Sequence, residues 1–237
     1  MKTRKKTSYI FGIVLYVIGL VLGLFIAGSS VMADIEAEFY GFDNLSNGRF
    51  STLRCPAVMN RDETGTVRMT LTNTLDRPIN PNIRTDISTI AVIESSRVKP
   101  SLEPGQSQIL EWQVDKDNID LGNFIFVKIY IFPEYPLPLR EATCGIFVFN
   151  LPFLKGSQWF GLGVVVSIMS LGIGLFLLKQ SSDVLVKRSR ERMYALIALA
   201  IALVGTMAFG LLGWWVAGGI LLVVCILIMV AMLYLLV

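Results

Sequence analysis

The sequence predicts an α+β membrane protein: four transmembrane α-helices, with a β-sandwich inserted between the first and the second. Three observations predict it. No Asp, Glu, Lys or Arg occurs in residues 7–33, 156–178 or 193–237. The polar stretch between the first two of these regions carries the two-residue period of half-buried strands. The remaining basic residues sit in two short segments that fall on one side of a bilayer once four crossings are drawn.

Composition points the same way. Hydrophobic residues make up 54% of the 237 and charged residues 16%, where soluble domains carry about 25%. The net charge of +3 conceals a division. Residues 1–6 and 179–192 hold nine Lys/Arg against Asp183 and Glu191, while residues 34–155 hold twelve Lys/Arg against sixteen acids. Short basic loops at a membrane are orientation signals, so no nucleic-acid partner is expected.

The elements follow in order. Residues 1–7 form a basic cytoplasmic N-terminus and residues 8–32 the first helix, long enough for the ~30 Å hydrocarbon core. A cleavable signal peptide ending at Val31-Met32-Ala33 competes with that reading, but the apolar run exceeds the usual ~7–15 residues, and a retained helix is expected. Residues 33–152 form the outer domain. Helix 2 covers residues 156–178, opening with Trp159 and Phe160 at interfacial depth, and residues 179–192 form a basic cytoplasmic loop. The uncharged C-terminal run of 45 residues would make one helix about 67 Å long, too long for one crossing. Gly210 and Gly213 before Trp214-Trp215 mark a hairpin, giving helices at 193–211 and 214–236. With the basic segments inside, residues 33–155 lie outside the plasma membrane and both termini are cytoplasmic.

Residues 34–150 read as β, without a helical stretch. Val67, Met69 and Leu71 alternate with Arg68, Thr70 and Thr72, and Leu110, Trp112 and Val114 with Glu111, Gln113 and Asp115. Turns fall at Asp76-Arg77-Pro78, Asn80-Pro81-Asn82 and Glu103-Pro104-Gly105-Gln106. Many short strands spaced by such turns favour a sandwich. Strand-like sequence begins close to Asp34 and ends close to Pro152, so two short tethers should hold the domain against the membrane surface.

The segments "VRMTLTNTLDRPIN" and "LEPGQSQILEWQVD" together resemble bacterial Ig-like domains of the NEW3 or CARDB kind, which pair a v-x-N strand with a later PG-x-s turn and strand. The resemblance covers roughly 50 residues. It implies a sandwich of about seven strands used for adhesion, spacing or docking. A true immunoglobulin domain fits less well: Trp112 lies too far from Cys55, and Ala142 stands where a tyrosine corner needs Tyr.

Cys55 and Cys144 lie in the outer domain, where an oxidising compartment permits a disulfide; two buried thiols are the alternative. Cys225 lies among Val and Ile of the last helix as a small apolar residue. In the run 124–132, Ile125, Val127, Ile129 and Ile131 share one face, and Phe124, Phe126, Lys128, Tyr130 and Phe132 the other. Aromatics on the second face allow two readings: a central strand covered by its own domain, or a surface on which Phe124, Phe126, Tyr130 and Phe132 dock a partner. Small residues recur every four positions at Gly19/Gly23, Gly163/Ser167, Ser170/Gly174 and Ala198/Ala202. They are expected to pack helices, within this bundle or against other subunits.

The chain has no histidine, which removes Ser-His-Asp and Cys-His catalysis and His metal ligation. No phosphate-binding glycine loop or dinucleotide fingerprint occurs. Asp115 and Asp117 read as a solvated turn, although an oxygen-rich loop can take Ca²⁺. Asn44-Leu45-Ser46 is a formal glycosylation sequon. No cofactor, catalytic residue or metal site is therefore expected. The expectation is a non-catalytic accessory or scaffolding subunit of a bacterial plasma-membrane complex, with the lipid bilayer and other membrane-protein subunits as partners. The alternative is a membrane-anchored, adhesin-like or ligand-sensing surface module.

Overall fold

The computed structural model describes residues 2–45, 50–90, 93–132, 138–151, 153–181 and 189–234. Residues 182–188 of the expected cytoplasmic loop 179–192, Ser46 of the sequon, Pro152, and residues 1, 235 and 236 lie outside them. Four helices and two sheets are present: α1 (Lys2–Phe39), β1 (Leu53–Arg54), β2 (Val58–Asn60), β3 (Gly65–Thr72), β4 (Asn82–Ile87), β5 (Glu94–Val98), β6 (Ser107–Val114), β7 (Phe124–Phe132), β8 (Arg140–Phe149), α2 (Gly156–Ser181), α3 (Ser189–Leu211) and α4 (Trp215–Tyr234). All four helices are long and apolar enough to cross a membrane. The chain divides into two compact units, residues 32–157 and the remainder.

In the helical unit, Tyr16, Ala27, Leu171, Leu178, Leu199, Leu203, Met207 and Cys225 form one buried cluster. The turn between α3 and α4 is a Schellman motif: Trp214 N–H donates to Phe209 O (2.9 Å) and Gly213 N–H to Gly210 O (3.1 Å). Gly213 takes φ +70, the left-handed conformation that glycine adopts without penalty. The Phe209 and Trp214 rings stack across the turn at 5.8 Å.

In the other unit a three-stranded sheet, order β1-β3-β6, faces a five-stranded sheet, order β2-β8-β7-β4-β5. Pairing is antiparallel except between β2 and β8. Val67, Met69, Leu110, Trp112 and Val114 from the first sheet meet Ile83, Ile87, Ile125, Val127, Ile129, Ile131 and Ile146 from the second in one core. These are the inward positions of the two-residue alternation. The Cys55–Cys144 disulfide, Cα to Cα 6.4 Å, ties the residue following β1 to β8 and so joins the two sheets. Buried Asn73 fixes one end of the domain: its Nδ2 donates to Arg77 O (2.8 Å) and Leu102 O (2.9 Å), and its Oδ1 accepts from Leu75 N–H (2.9 Å). The adjoining turn has Pro104 then Gly105 at φ +74, closed by Gln106 N–H to Glu103 O at 3.0 Å, as a type II turn requires.

One expectation is corrected here. Residues 34–39 are not strand: α1 runs on past Met32 through Phe39. Ile35, Glu36, Ala37 and Glu38 continue the helix without a breaker. Ala33 and Ala37, four apart and fully buried, give these last turns an apolar stripe against the sheet. Helices α2 and α3 likewise extend beyond their uncharged runs, to Ser181 and back to Ser189.

Candidate functional site

The outer face of the five-stranded sheet gathers the residues that the sequence marks for function. β7 is its central strand, flanked by β8 and β4, and is buried along nearly its whole length. Ile125, Val127 and Ile129 point into the core. Phe124, Phe126, Lys128, Tyr130 and Phe132 point the other way, with Gly145 opposite Phe126, Glu141 opposite Tyr130, and Arg84 opposite Tyr130 from the other side.

That face is covered by the chain's own residues 33–45. At its first end, helix α1 presses against β8. Gly145 N–H donates to Asp34 Oδ1 at 3.1 Å, and a Cβ on Gly145 would overlap the carbonyl carbon and oxygen of Ala33. Only glycine allows so close an approach. Next, Ala37, Tyr40 and Phe42 pack onto Phe126. The Tyr40 ring lies 4.5 Å from that of Phe126 and 4.8 Å from that of Phe42. Tyr40 hydroxyl donates to Asp120.

Beyond Phe42 the strap becomes polar. Tyr130 hydroxyl donates to Asp43 O at 2.6 Å, Lys128 Nζ donates to Asn44 Oδ1, and Leu45 N–H donates to Glu141 Oε2 at 3.1 Å. Lys128 and Glu141 form an ion pair at 3.3 Å whose side chains are 3% and 11% exposed. Arg84 contacts Asp86 at 2.7 Å and Asp43 at 3.3 Å, and Ser95 Oγ donates to Asp86 Oδ1 at 2.7 Å.

Burial pushes the Tyr130 phenol far above its ordinary value, helped by Asp86. Burial and the Asp120 hydrogen bond raise Tyr40 to about 12. The hydrogen bond to Asp86 raises Arg84 further. Both phenols stay protonated at neutral pH, as hydrogen-bond donors.

The two readings of this face, a strand covered by its own domain and a docking surface for a partner at Phe124, Phe126, Tyr130 and Phe132, meet different burial at different residues. Phe126 and Tyr130 are fully buried beneath Tyr40 and Asp43, while Phe124 and Phe132 are half-buried. Residue-level periodicity finds the two-sided burial of β7 and does not say what covers the second side. The aromatic alternation Tyr40-Gly41-Phe42 is the one local signal of a cover.

Gly19, Gly23, Gly163, Ser167 and Gly174 meet other helices of the same chain. A Cβ on Gly19 would fall 2.8 Å from Ser167 O and 2.9 Å from Leu171 N, and Ser167 Oγ donates to Gly19 O at 2.7 Å. Gly23 faces Leu203 and Ser167, Gly163 faces Ile26, and Gly174 faces Tyr16 and Gly12. Ser170 is half-buried, Ala202 half-buried and Ala198 exposed. Asp115 caps a short 3-10 turn over Lys116–Asn118, its carboxylate accepting from Asp117 N–H at 2.9 Å. Among the described residues no three His, Cys, Asp or Glu side chains gather as a metal site would require.

With that geometry in place, comparison with known proteins adds little. No family model and no curated protein matches the chain. Among solved structures, the CARDB domain of a Pyrococcus furiosus protein, in complex with di-metal ions, is similar at 13% identity and TM-score 0.32, covering 46% of this chain and 98% of that one. A Paenibacillus cycloisomaltooligosaccharide glucanotransferase is similar at 12% identity and TM-score 0.33, over 43% of this chain and 14% of its own length. The Bacillus subtilis sporulation control protein Spo0M follows at 11% and 0.24, over 40% and 46%. Likenesses of this strength assign neither an activity nor a ligand.

Proposed function

We propose that this chain is a non-catalytic accessory or scaffolding subunit of a plasma-membrane complex, with its two-sheet domain an extracytoplasmic Ig-like sandwich. The observation that carries the reading is the free edge of β6. Among the described residues this eight-residue strand pairs on one side only, with β3. Its outward face shows Ile109 at 61% exposure beside Glu111 and Gln113. A long, open edge with an exposed apolar side chain is a site for strand addition by another chain. On the strap-covered face, Lys128, Glu141, Tyr130 and Arg84 are paired within the domain. Topology follows from the basic segments at residues 1–6 and 179–192, which belong in the cytoplasm.

The test is extraction of the full chain in mild detergent followed by native mass measurement. A stoichiometric hetero-complex that Ile109→Lys dissolves, with the melting temperature unchanged, is the expected result. A lone chain that binds a glycan or an ion overturns it in favour of a surface-binding module.

A further inference from the structure

From the loop that precedes α2 we infer a second contact of the outer domain: an apolar wedge, centred on Phe153, that enters the interfacial layer of the bilayer. Phe153 is 96% exposed, the extreme among the large apolar side chains described, and Leu151 and Leu154 beside it are 42% and 36% exposed. Its backbone sits at φ +79, the left-handed region that a bulky side chain adopts only when its surroundings force it. Those surroundings are specific. Asn60 Nδ2, at the end of β2, donates to both Leu151 O and Leu154 O. Glu63 Oε2 accepts from Asn60 N–H (3.1 Å) and Gly156 N–H (2.7 Å), holding the residue that opens α2. Gly156 itself abuts β2 so closely that a Cβ would fall 2.7 Å from Val58 O.

The loop is thus clamped at both ends to the β2–β3 corner, and the strained residue between the clamps turns its ring away from the protein. The occupant follows from position along the chain: Phe153 lies three residues before the uncharged run that begins at Gly156. An aromatic ring at that depth gains by entering the boundary between headgroups and acyl chains. The inference rests on reading α2 as a membrane span.

The experiment uses the full chain in nanodiscs of phosphatidylcholine and phosphatidylglycerol, with Cys225→Ala and single nitroxide labels at Phe153→Cys, Ile109→Cys and Val165→Cys. Collision with oxygen, which concentrates in lipid, is compared with collision with a water-soluble nickel chelate. The expected oxygen-to-nickel ratio at 153 is several-fold above that at 109, approaching that at 165. A ratio at 153 equal to that at 109, with 165 high, overturns the wedge alone. A low ratio at 165 overturns the reading of α2 as well. Asn60→Ala should drop the ratio at 153, and no change there overturns the clamp. Phe153→Trp keeps an aromatic ring and gives an independent readout: lipids brominated near the headgroup should quench its added emission, and absence of quenching overturns the wedge.

Discussion

Gly145→Ala probes the contact on which the domain's covered face depends. A Cβ there would overlap the carbonyl carbon and oxygen of Ala33 and lie 2.9 Å from Asp34 N, all backbone atoms. Backbone cannot rotate aside, so the last turns of α1 must retreat by on the order of 1 Å in a medium as closely packed as an organic crystal. Retreat breaks the Gly145–Asp34 hydrogen bond of 3.1 Å, worth about 1–1.5 kcal/mol. It also loosens fully buried Ala33 and Ala37, and overpacking of this kind costs typically ~1–3 kcal/mol. The expected loss is about 3 kcal/mol, or roughly 10 °C in melting temperature for a domain of this size. The assay is thermal unfolding of the full chain in detergent, followed by near-ultraviolet circular dichroism. Gly41→Ala is the control, since a Cβ there meets nothing within 4 Å; it should be neutral or slightly stabilising. A Gly145→Ala protein that melts within about 2 °C of the parent refutes the close approach.

Other outcomes follow from the same structure. Lys128→Ala, which strands Glu141 in its buried pair, should destabilise by about 3 kcal/mol, whereas the double change Lys128→Met, Glu141→Leu should recover most of that loss; melting curves of the three variants decide it. Reducing Cys55–Cys144, a closure over a sequence separation of 89, should remove about 4 kcal/mol, seen as a lower melting temperature with reductant present. In the helices, Gly19→Ala should perturb more than Gly23→Ala. The first meets backbone of α2, the second only the ends of the Met207 and Leu203 side chains and Ser167 Oγ; heat-induced aggregation in detergent ranks them. Tyr40, held near 12 against an ordinary 10, binds its proton more tightly folded than unfolded. Its contribution is present below pH about 10 and lost as pH rises through about 12. Absorbance titration at alkaline pH should show a phenol ionising near 12 that is lost in Tyr40→Phe while the later ionisation of Tyr130 remains.

What the sequence discloses depends on how local the cause is. Uncharged runs of bilayer length, the glycine at 213, and the inward alternation of Val67 and Met69 are each written in a few neighbouring residues. The strap is not. Lys128 meets Asn44 and Glu141 meets Leu45 across more than eighty positions, and no period in either segment announces its partner. Gly145 reads as one glycine in a strand until Ala33 is placed against it. The last turns of α1 were masked by the charged residues Asp34, Glu36 and Glu38, which mark the end of the apolar run and do not end the helix. For the same reason the face of Phe124, Phe126, Tyr130 and Phe132 carries two readings in one dimension, and only the third dimension shows Phe126 and Tyr130 buried.

The account stands on the placement of the two-sheet domain across the membrane from the basic segments. The direct measurement is labelling of Asp76→Cys, an exposed position in the turn after β3, in a Cys225→Ala background with a membrane-impermeant maleimide on intact cells. Reaction before lysis is the predicted result. Reaction only after lysis puts the domain in the cytoplasm and contradicts the account.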